Sequence, residues 1–259
     1  MARAHAASLP LMVPQRKKPV RNHVLVVLLG LMCAPLWAQR GVTTFGIQLK
    51  PVLPLEFFDP LTTLERPSLS GTVELTGGMA FSMSVRIGIS DMFSLETGLG
   101  QISRRYNFGI TNDTSGYSEG SDIRFIGYEL PLAGLVYIRL GEQLWMNTAL
   151  GGCLDFYPSD VQRDVQEGRA YFYRYNWAQF AVLANLGVEH RTRKSGMFYL
   201  GATYHRTFSP IAVAELTYYG PNFFPYNMRA DLIGTYLTVD LRYYFHEDPD
   251  KTKLRKKKS

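Results

Sequence analysis

The chain has 259 residues, of which 46% are hydrophobic, so it is long enough for one domain with a large apolar surface. Its net charge of +6 sits at the two ends: residues 1–38 and 246–259 together hold 11 of the 28 basic residues and 3 of the 22 acidic residues. The segment between them has 17 basic and 19 acidic residues. A nearly neutral body gives no support to a basic groove for nucleic acid.

The first predicted element is an export signal over residues 1–38. A basic stretch from Arg16 to Arg21 precedes an apolar run of 15 residues from Val24 to Ala38. Signal peptides have apolar cores of about 7–15 residues, whereas a helix that crosses a membrane needs about 20. We expect cleavage after Ala38. The alternatives are an uncleaved anchor and, because the stretch before Arg16 is long, a start of translation at Met12.

The segment 39–245 repeats one pattern, in which apolar residues alternate with polar or small residues. Such alternation is typical of strands. The apolar faces of eight such segments begin at Phe45, Phe81, Phe93, Leu130, Met146, Phe180, Phe198 and Thr235. Short turns near 90–92, 141–143 and 192–196 alternate with long connections near 51–70, 108–121, 158–173 and 208–230. This asymmetry predicts an all-β fold, an eight-stranded antiparallel up-and-down transmembrane β-barrel with its long loops outside the cell.

The composition of the polar face decides which side of the barrel it occupies. The alternative is a soluble barrel with its apolar face inward, such as a lipocalin-like carrier. The polar face is rich in glycine, including Gly98, Gly100, Gly151 and Gly187. Glycine weakens a strand and needs a packing reason, which the narrow interior of an eight-stranded barrel supplies. The sequence therefore predicts the polar face inside and the apolar face against lipid.

The inward face also has charges of both signs that nearly cancel. Lys50 and Arg104 belong to this set, and the predicted interior network consists of Arg86, Glu96, Glu129, Arg139, Asp155, Glu189, Arg191, Asp240 and Arg242. Buried charges are costly unless paired, so we expect ion pairs that fill and seal the interior. If residues 90–92 form the turn, Arg86 and Glu96 face each other across two strands. A gated or proton-conducting path is the functional alternative.

Aromatic residues near the predicted strand ends indicate the lipid headgroup zone, where amphipathic rings are favoured. The predicted girdle consists of Phe93, Trp145, Trp177, Tyr243 and Phe245.

No spacing typical of a metal site and no glycine-rich phosphate loop occurs in the sequence, so we predict no catalytic, cofactor-binding or metal-binding residues. His190 is expected at a barrel rim. The enzymatic alternative is a lipid-modifying enzyme that uses His205, Ser209 and Glu215, and it requires the base within hydrogen-bond reach of the hydroxyl.

Three segments resemble a known family. They are Tyr128–Tyr137 (YELPLAGLVY), the strand-turn-strand Ser84–Gly100, and the ending Val239–Phe245 (VDLRYYF). They resemble the PorT-like outer-membrane β-barrel proteins of Bacteroidetes, a group of small barrels comparable to OmpX. The resemblance implies a Gram-negative, porin-like outer-membrane protein whose final aromatic is recognised by the barrel-assembly machinery. One member type of that group takes part in protein secretion.

A tail, 246–259, follows the last predicted strand and contains six basic residues. We expect it to be disordered in the periplasm; the alternative is a docking arm for an acidic partner. The sequence as a whole predicts a non-enzymatic outer-membrane protein that contacts lipid and, through its external loops or its tail, a protein partner. The external loops in question are 158–173 and 218–226. The alternative is an accessory component of a secretion or transport machinery.

Overall fold

The computed structural model describes residues 43–55, 60–90, 92–192, 195–220 and 224–246. The predicted export signal and all of the basic tail except His246 lie outside the described residues. The chain forms antiparallel strands, and the described residues include no helix that is long and apolar enough to cross a membrane. The strands are β1 (Thr43–Leu53), β2 (Leu61–Arg66), β3 (Leu69–Gly88), β4 (Phe93–Asn112), β5 (Tyr117–Arg139), β6 (Leu144–Phe156), β7 (Val161–Val165), β8 (Gly168–Arg174), β9 (Ala178–Arg191), β10 (Met197–Thr207), β11 (Ala212–Tyr219), β12 (Pro225–Leu232) and β13 (Tyr236–Tyr244).

Eight of these strands contain the eight predicted alternating segments and pair in sequence. The order of pairing is β1-β13-β10-β9-β6-β5-β4-β3, and β1 also pairs with β3. Each of the eight therefore has a hydrogen-bonded neighbour on both sides. We call this set the strand ring. The connections after β3, β5 and β9 are short, with Ile89, Leu140 and Thr192 hydrogen-bonded to Phe93, Leu144 and Gly196, and we call that end the turn end.

Five additional strands lie in three of the four long connections, which the sequence predicted to be loops. β2 pairs with the distal part of β3, while β7, β8, β11 and β12 form a separate four-stranded sheet. The fourth connection, 108–121, is a hairpin that continues β4 and β5. The missed strands have a physical basis in the sequence, because Ala212, Ala214, Leu216 and Tyr218 alternate onto one buried face of β11.

The strand ring is apolar outside and polar inside. Its exposed outer face has large apolar side chains on every strand, including Phe45, Phe81, Leu99, Leu132, Leu150, Leu186, Leu200 and Leu241. Arg86, Glu96, Glu189, Asp240 and Arg242 are buried on the inner face. This arrangement is the one that the glycine-rich polar face predicted.

Beyond the ring, the polarity of the two faces reverses, so that the buried face is apolar and the exposed face is polar. β3, β4 and β5 have 20, 20 and 23 residues, whereas a strand needs about 9–11 to cross a membrane. Their distal halves pack against the four-stranded sheet around a core that includes Phe108, Phe125 and Phe172. The opposite face of these halves is polar, with Arg105 and Asp122 exposed. We call β2, the four-stranded sheet and these distal halves the outer module.

A β-bulge in β3 marks the passage from the ring to the outer module. The register of β3 against β4 shifts between Leu75 and Gly77, which leaves Thr76 as an extra residue. Gly77 has φ +145°, a backbone conformation that favours glycine. As a result, the buried face of β3 changes at the bulge. Odd-numbered residues such as Val73 are buried before it, and even-numbered residues such as Ala80 are buried after it.

Candidate functional site

The inner face of the strand ring holds a cluster of ion pairs near the turn end. Arg86 lies opposite Glu96 in the β3–β4 register, which is the pair that the predicted turn required, and its Nε donates to Glu96 Oε2 at 3.1 Å. Arg86 Nη1 donates to Glu189 Oε2 at 2.6 Å, and Arg242 Nη1 donates to Glu96 Oε1 at 3.0 Å. Arg242 also pairs with Asp240. These five residues form what we call the turn-end cluster.

Aromatic rings cover the guanidinium groups of this cluster. The Arg86 guanidinium carbon lies 3.8 Å from the ring centre of Tyr244, and that of Arg242 lies 4.7 Å from the ring centre of Tyr199. Tyr244 Oη also donates to Glu96 Oε2 at 2.7 Å. The buried arginines therefore have carboxylates and π-faces as partners, which offsets the cost of their desolvation.

Two residues at this end of the strand ring lie elsewhere than the sequence predicted. Arg139 is exposed, and its Nε donates to the carbonyl of Gly141, so it belongs to the rim and not to the interior network. Trp145 was predicted for the outer girdle, but it packs against the inner cluster around Ala149, beneath Arg191 at 4.6 Å. The alternation itself is kept: Trp145 continues the inward face of Ala149 and Asp155, so period two places it inside. Arg139 continues the inward face of Tyr137, but it is the last residue of β5, and its side chain reaches the rim.

The other predicted girdle residues lie at opposite ends of the ring. Phe93 and Phe245 are exposed at the turn end, where Tyr243 contacts Phe245 with 5.2 Å between ring centres. Trp177 is exposed at the opposite end and contacts Phe156 at 5.3 Å.

A second polar cluster occupies the interior nearer the outer module. Lys50 Nζ lies 4.0 Å from Glu129 Oε2, and the hydroxyl of Tyr236 donates to Glu129. The guanidinium carbon of Arg104 lies 4.9 Å from the ring centre of Tyr236, and Arg104 is almost completely buried. Glu129 thus belongs to a different cluster from Arg86 and Glu189, so the predicted network is divided into two layers.

A Cys–Asp–His group, which the sequence pattern did not predict, lies in this second layer. One ligand atom from each of Cys153, Asp155 and His205 lies within 4.8 Å of the others, and all three residues are buried. His205 Nε2 lies 3.2 Å from Asp155 Oδ2, and its ring stacks on Tyr236 at 4.6 Å. Thiolate, carboxylate and imidazole are ligands of Zn²⁺, so these three residues could hold such an ion. Two of the three are visible in the sequence as alternating inward residues of one strand, but His205 lies on another strand.

The catalytic triad that the enzymatic alternative requires is not assembled. His205 pairs with Asp155, whereas Ser209 Oγ donates to Gln179 Oε1 at 3.1 Å. Glu215 pairs with Arg229 in the outer module. His190, which the sequence placed at a rim, is exposed near the turn end.

Comparisons with known proteins give structural neighbours but no family. No family model matches the chain, and no curated protein matches it. The resemblance of three segments to the PorT-like group therefore stays a prediction.

Solved structures that are similar to this chain include the following three. The outer membrane protein OprG from Pseudomonas aeruginosa has 10% identity and a TM-score of 0.49, over 80% of this chain and 98% of that one. The outer membrane protease OmpT from Escherichia coli has 9% identity and a TM-score of 0.29, over 79% and 95%. The beta domain of the Bordetella autotransporter BrkA has 9% identity and a TM-score of 0.21, over 79% and 99%. Likeness at this level assigns no function to this chain.

Proposed function

We propose that the chain is an integral outer-membrane protein, a closed eight-stranded membrane barrel with a sealed interior and an outer module outside the cell. The observation that supports this most directly is that the ring is inverted relative to a water-soluble protein. Leucine and phenylalanine side chains cover its outside, whereas arginine and glutamate lie inside it. A contiguous apolar surface of this extent is unfavourable in water and favourable in a bilayer.

The height of the apolar surface is consistent with a bilayer. On the outer face of β5, large apolar side chains are exposed from Tyr128 to Leu140. With a rise of about 3.3 Å per residue and a tilt of about 40°, this stretch spans about 30 Å along the membrane normal, close to the thickness of a hydrocarbon core.

The sealed interior is supported by the two polar clusters. In the turn-end cluster, side chains from non-neighbouring strands of the ring meet in its interior: Arg86 contacts Glu189, and Arg242 contacts Glu96. Tyr244 packs on the guanidinium of Arg86 in the same space. The proposal includes no catalytic activity, since His205, Ser209 and Glu215 have separate partners.

The partners that follow from this proposal are outer-membrane lipid, the barrel-assembly machinery and a protein bound by the outer module. Phe224 and Tyr226 are exposed on the outer module, next to β11, and offer apolar contact area for such a protein. The PorT-like resemblance extends the proposal to an accessory role in secretion, with the basic tail, outside the described residues, as the periplasmic contact.

A depth-dependent substitution tests the membrane assignment. Leu150 lies in the middle of β6 and is 72% exposed. We expect Leu150→Arg to lower the free energy of unfolding in lipid vesicles by about 2–4 kcal/mol, because it would place a charge at the bilayer midplane.

The matched control is Glu74→Arg, which lies on the exposed outer face of β3 within the outer module. It should change the free energy of unfolding by less than about 0.5 kcal/mol. Equal losses for the two variants would contradict the proposal, as would a chain from purified outer membranes whose gel migration does not change on heating.

A further inference from the structure

Two arginines stand side by side on the outer face, just beyond the apolar surface of the strand ring. Arg105 on β4 and Arg124 on β5 are register partners, and both are exposed. Side chains in such cross-strand pairs lie about 5 Å apart at Cβ, and like charges placed there repel each other. Among the described residues, neither arginine takes part in an ion pair. The arrangement concentrates positive charge that the protein itself does not neutralise.

The nearest acids on the same face have other positions or partners. Asp122 lies one step further from the apolar surface, and its Oδ1 accepts a hydrogen bond from Asn107 Nδ2 at 3.2 Å. Glu74 pairs in register with Asn107 and not with Arg105, whose partner on β3 is Gly77. The positive pair is therefore the first charged layer above the apolar side chains.

A groove of about 390 Å³ adjoins the pair at the β-bulge. It is lined by both arginines together with Thr76, Gly77, Gly78, Met79 and Ser103. Glycine is required here for a second reason, because a Cβ on Gly78 would lie 2.5 Å from the carbonyl oxygen of Ser103. The wall towards the membrane is apolar: Met79 is half-exposed, and Phe81 follows it on the same face of β3.

We propose that Arg105 and Arg124 bind the phosphate of a phosphorylated glycolipid in the outer leaflet, while the acyl chains of that lipid lie along Met79 and Phe81. This inference rests on the proposed function, because it requires the apolar surface to be embedded in an outer membrane. Two guanidinium groups can donate several charge-assisted hydrogen bonds to one phosphate, and binding removes the repulsion between them. The position fits the ligand, since the headgroup phosphates of a bilayer lie directly above its hydrocarbon.

Native mass spectrometry of the full chain in detergent tests this site, with bis-phosphorylated lipid A and dephosphorylated lipid A as probes. Each protein is first shown to be folded by heat-dependent gel migration and to insert into lipid vesicles. We expect the unsubstituted chain to retain one phosphorylated lipid A, and the double variant Arg105→Gln/Arg124→Gln to bind it about 10-fold more weakly. The control is Arg206→Gln, because Arg206 is also exposed on the outer face at the same end of the ring, opposite Val182 rather than another arginine. It should retain the affinity within about twofold.

Three results would overturn the inference. They are equal affinity of the double variant, equal affinity of the unsubstituted chain for dephosphorylated lipid A, and displacement of the lipid by millimolar inorganic phosphate, which would assign the site to free phosphate. If the unsubstituted chain fails to insert into vesicles, the proposed function fails. If it inserts and shows any of the three results, only the lipid site fails.

Discussion

Arg86 Nη1 lies 2.6 Å from Glu189 Oε2, although Arg86 is on β3 and Glu189 is on β9. In the strand ring these two strands are four positions apart in either direction, which is the greatest separation that eight strands allow. A direct contact between them means that two side chains cross the whole interior. The interior at this height is therefore as narrow as one ion pair.

The first prediction concerns Glu189, which is completely buried and accepts hydrogen bonds from both Arg86 and Arg191. Glu189→Ala should lower the free energy of unfolding by about 3–5 kcal/mol, because it leaves buried positive charge without a partner. Urea titration of the protein in lipid vesicles measures this. The double variant Arg86→Met/Glu189→Met should lose less than Glu189→Ala, since it removes both charges. A larger loss in the double variant would contradict this prediction and would show that the contacts of Arg86 with Glu96 and Tyr244 contribute more than its unpaired charge costs.

The second prediction follows from the same contact. Vesicles that contain the purified protein should not take up arabinose, whereas vesicles with a general porin should swell rapidly. The reason is that the Arg86–Glu189 contact and the rings of Tyr137 and Tyr244 beside Arg86 occupy the cross-section. Swelling at a rate comparable to that of the porin would show an open interior and would disprove the sealed barrel.

The third prediction concerns an aromatic ring packed on two glycines. Gly187 and Gly201 are register partners, and a Cβ on either would lie within 2.4 Å of the hydroxyl oxygen of Tyr199. Tyr199 Oη also donates to Asn185 Oδ1 at 2.6 Å. Gly201→Val should displace the ring and lower the free energy of unfolding by about 1–3 kcal/mol.

A matched pair of variants separates packing from hydrogen bonding at this position. Tyr199→Phe keeps the ring and removes only its hydrogen bond, so its cost should be near 1 kcal/mol. If Tyr199→Phe costs as much as Gly201→Val, the hydrogen bond and not the packing on glycine is the main contribution.

The fourth prediction tests the outer module. Phe172 is completely buried in its core, whereas its neighbour Tyr171 has its hydroxyl at the surface beside Asp160. Phe172→Ala should destabilise the module by about 3–5 kcal/mol and make the β7–β8 hairpin sensitive to protease added to intact cells. Tyr171→Ala should remain resistant. Cleavage of both variants at the same rate, or of neither, would contradict a packed core at this place.

The fifth prediction concerns pH and the same hairpin. Asp164 and Arg169 are register partners, and the hydrogen bond from Arg169 holds the pKa of Asp164 below its usual value. A lowered carboxyl pKa means that this pair contributes above the unfolded pKa of about 4, and that the contribution is lost as pH falls through the folded value. A ¹³C NMR titration of the carboxyl should show this lowered pKa, and Arg169→Gln should raise it towards the usual range, while the hydrogen bond from Gln162 to Asp164 remains. An unchanged titration in Arg169→Gln would disprove the cause.

Sequence periodicity was sufficient to predict the eight ring strands and the side on which each face lies, because period-two alternation is preserved wherever one face is apolar. It failed in the outer module for a reason seen at β8 and β11. Gly168 begins β8 and Gly220 follows β11, and turn residues beside such short strands predict a loop. Their alternation was present but brief.

Interior partners could be predicted only for neighbouring strands. The Arg86–Glu96 pair follows from one short turn, so sequence distance was enough to find it. Contacts between strands that are not neighbours, such as Arg242 with Glu96 or His205 with Asp155, depend on strand tilt and register, which no local pattern encodes. Arg139 and Trp145 flank one turn, as the last residue of β5 and the second residue of β6. Trp145 was predicted for the girdle because it is aromatic and near a strand end, although its place in the alternation is inward.

The extra residue in β3 also limits how this chain can change by insertion or deletion. Without Thr76, the residues beyond it would exchange sides, so that Thr72 and Glu74 would point into the apolar core while Leu69 and Val73 would point into water. The neighbouring strand β4 has no bulge at this level, because its buried residues from Ile102 to Ile110 are all even-numbered. It could therefore not compensate for the shift. A one-residue deletion at this point would therefore be far more harmful than one in the neighbouring hairpin tips. In related chains, we expect insertions and deletions in the hairpin tips and not at the position of Thr76.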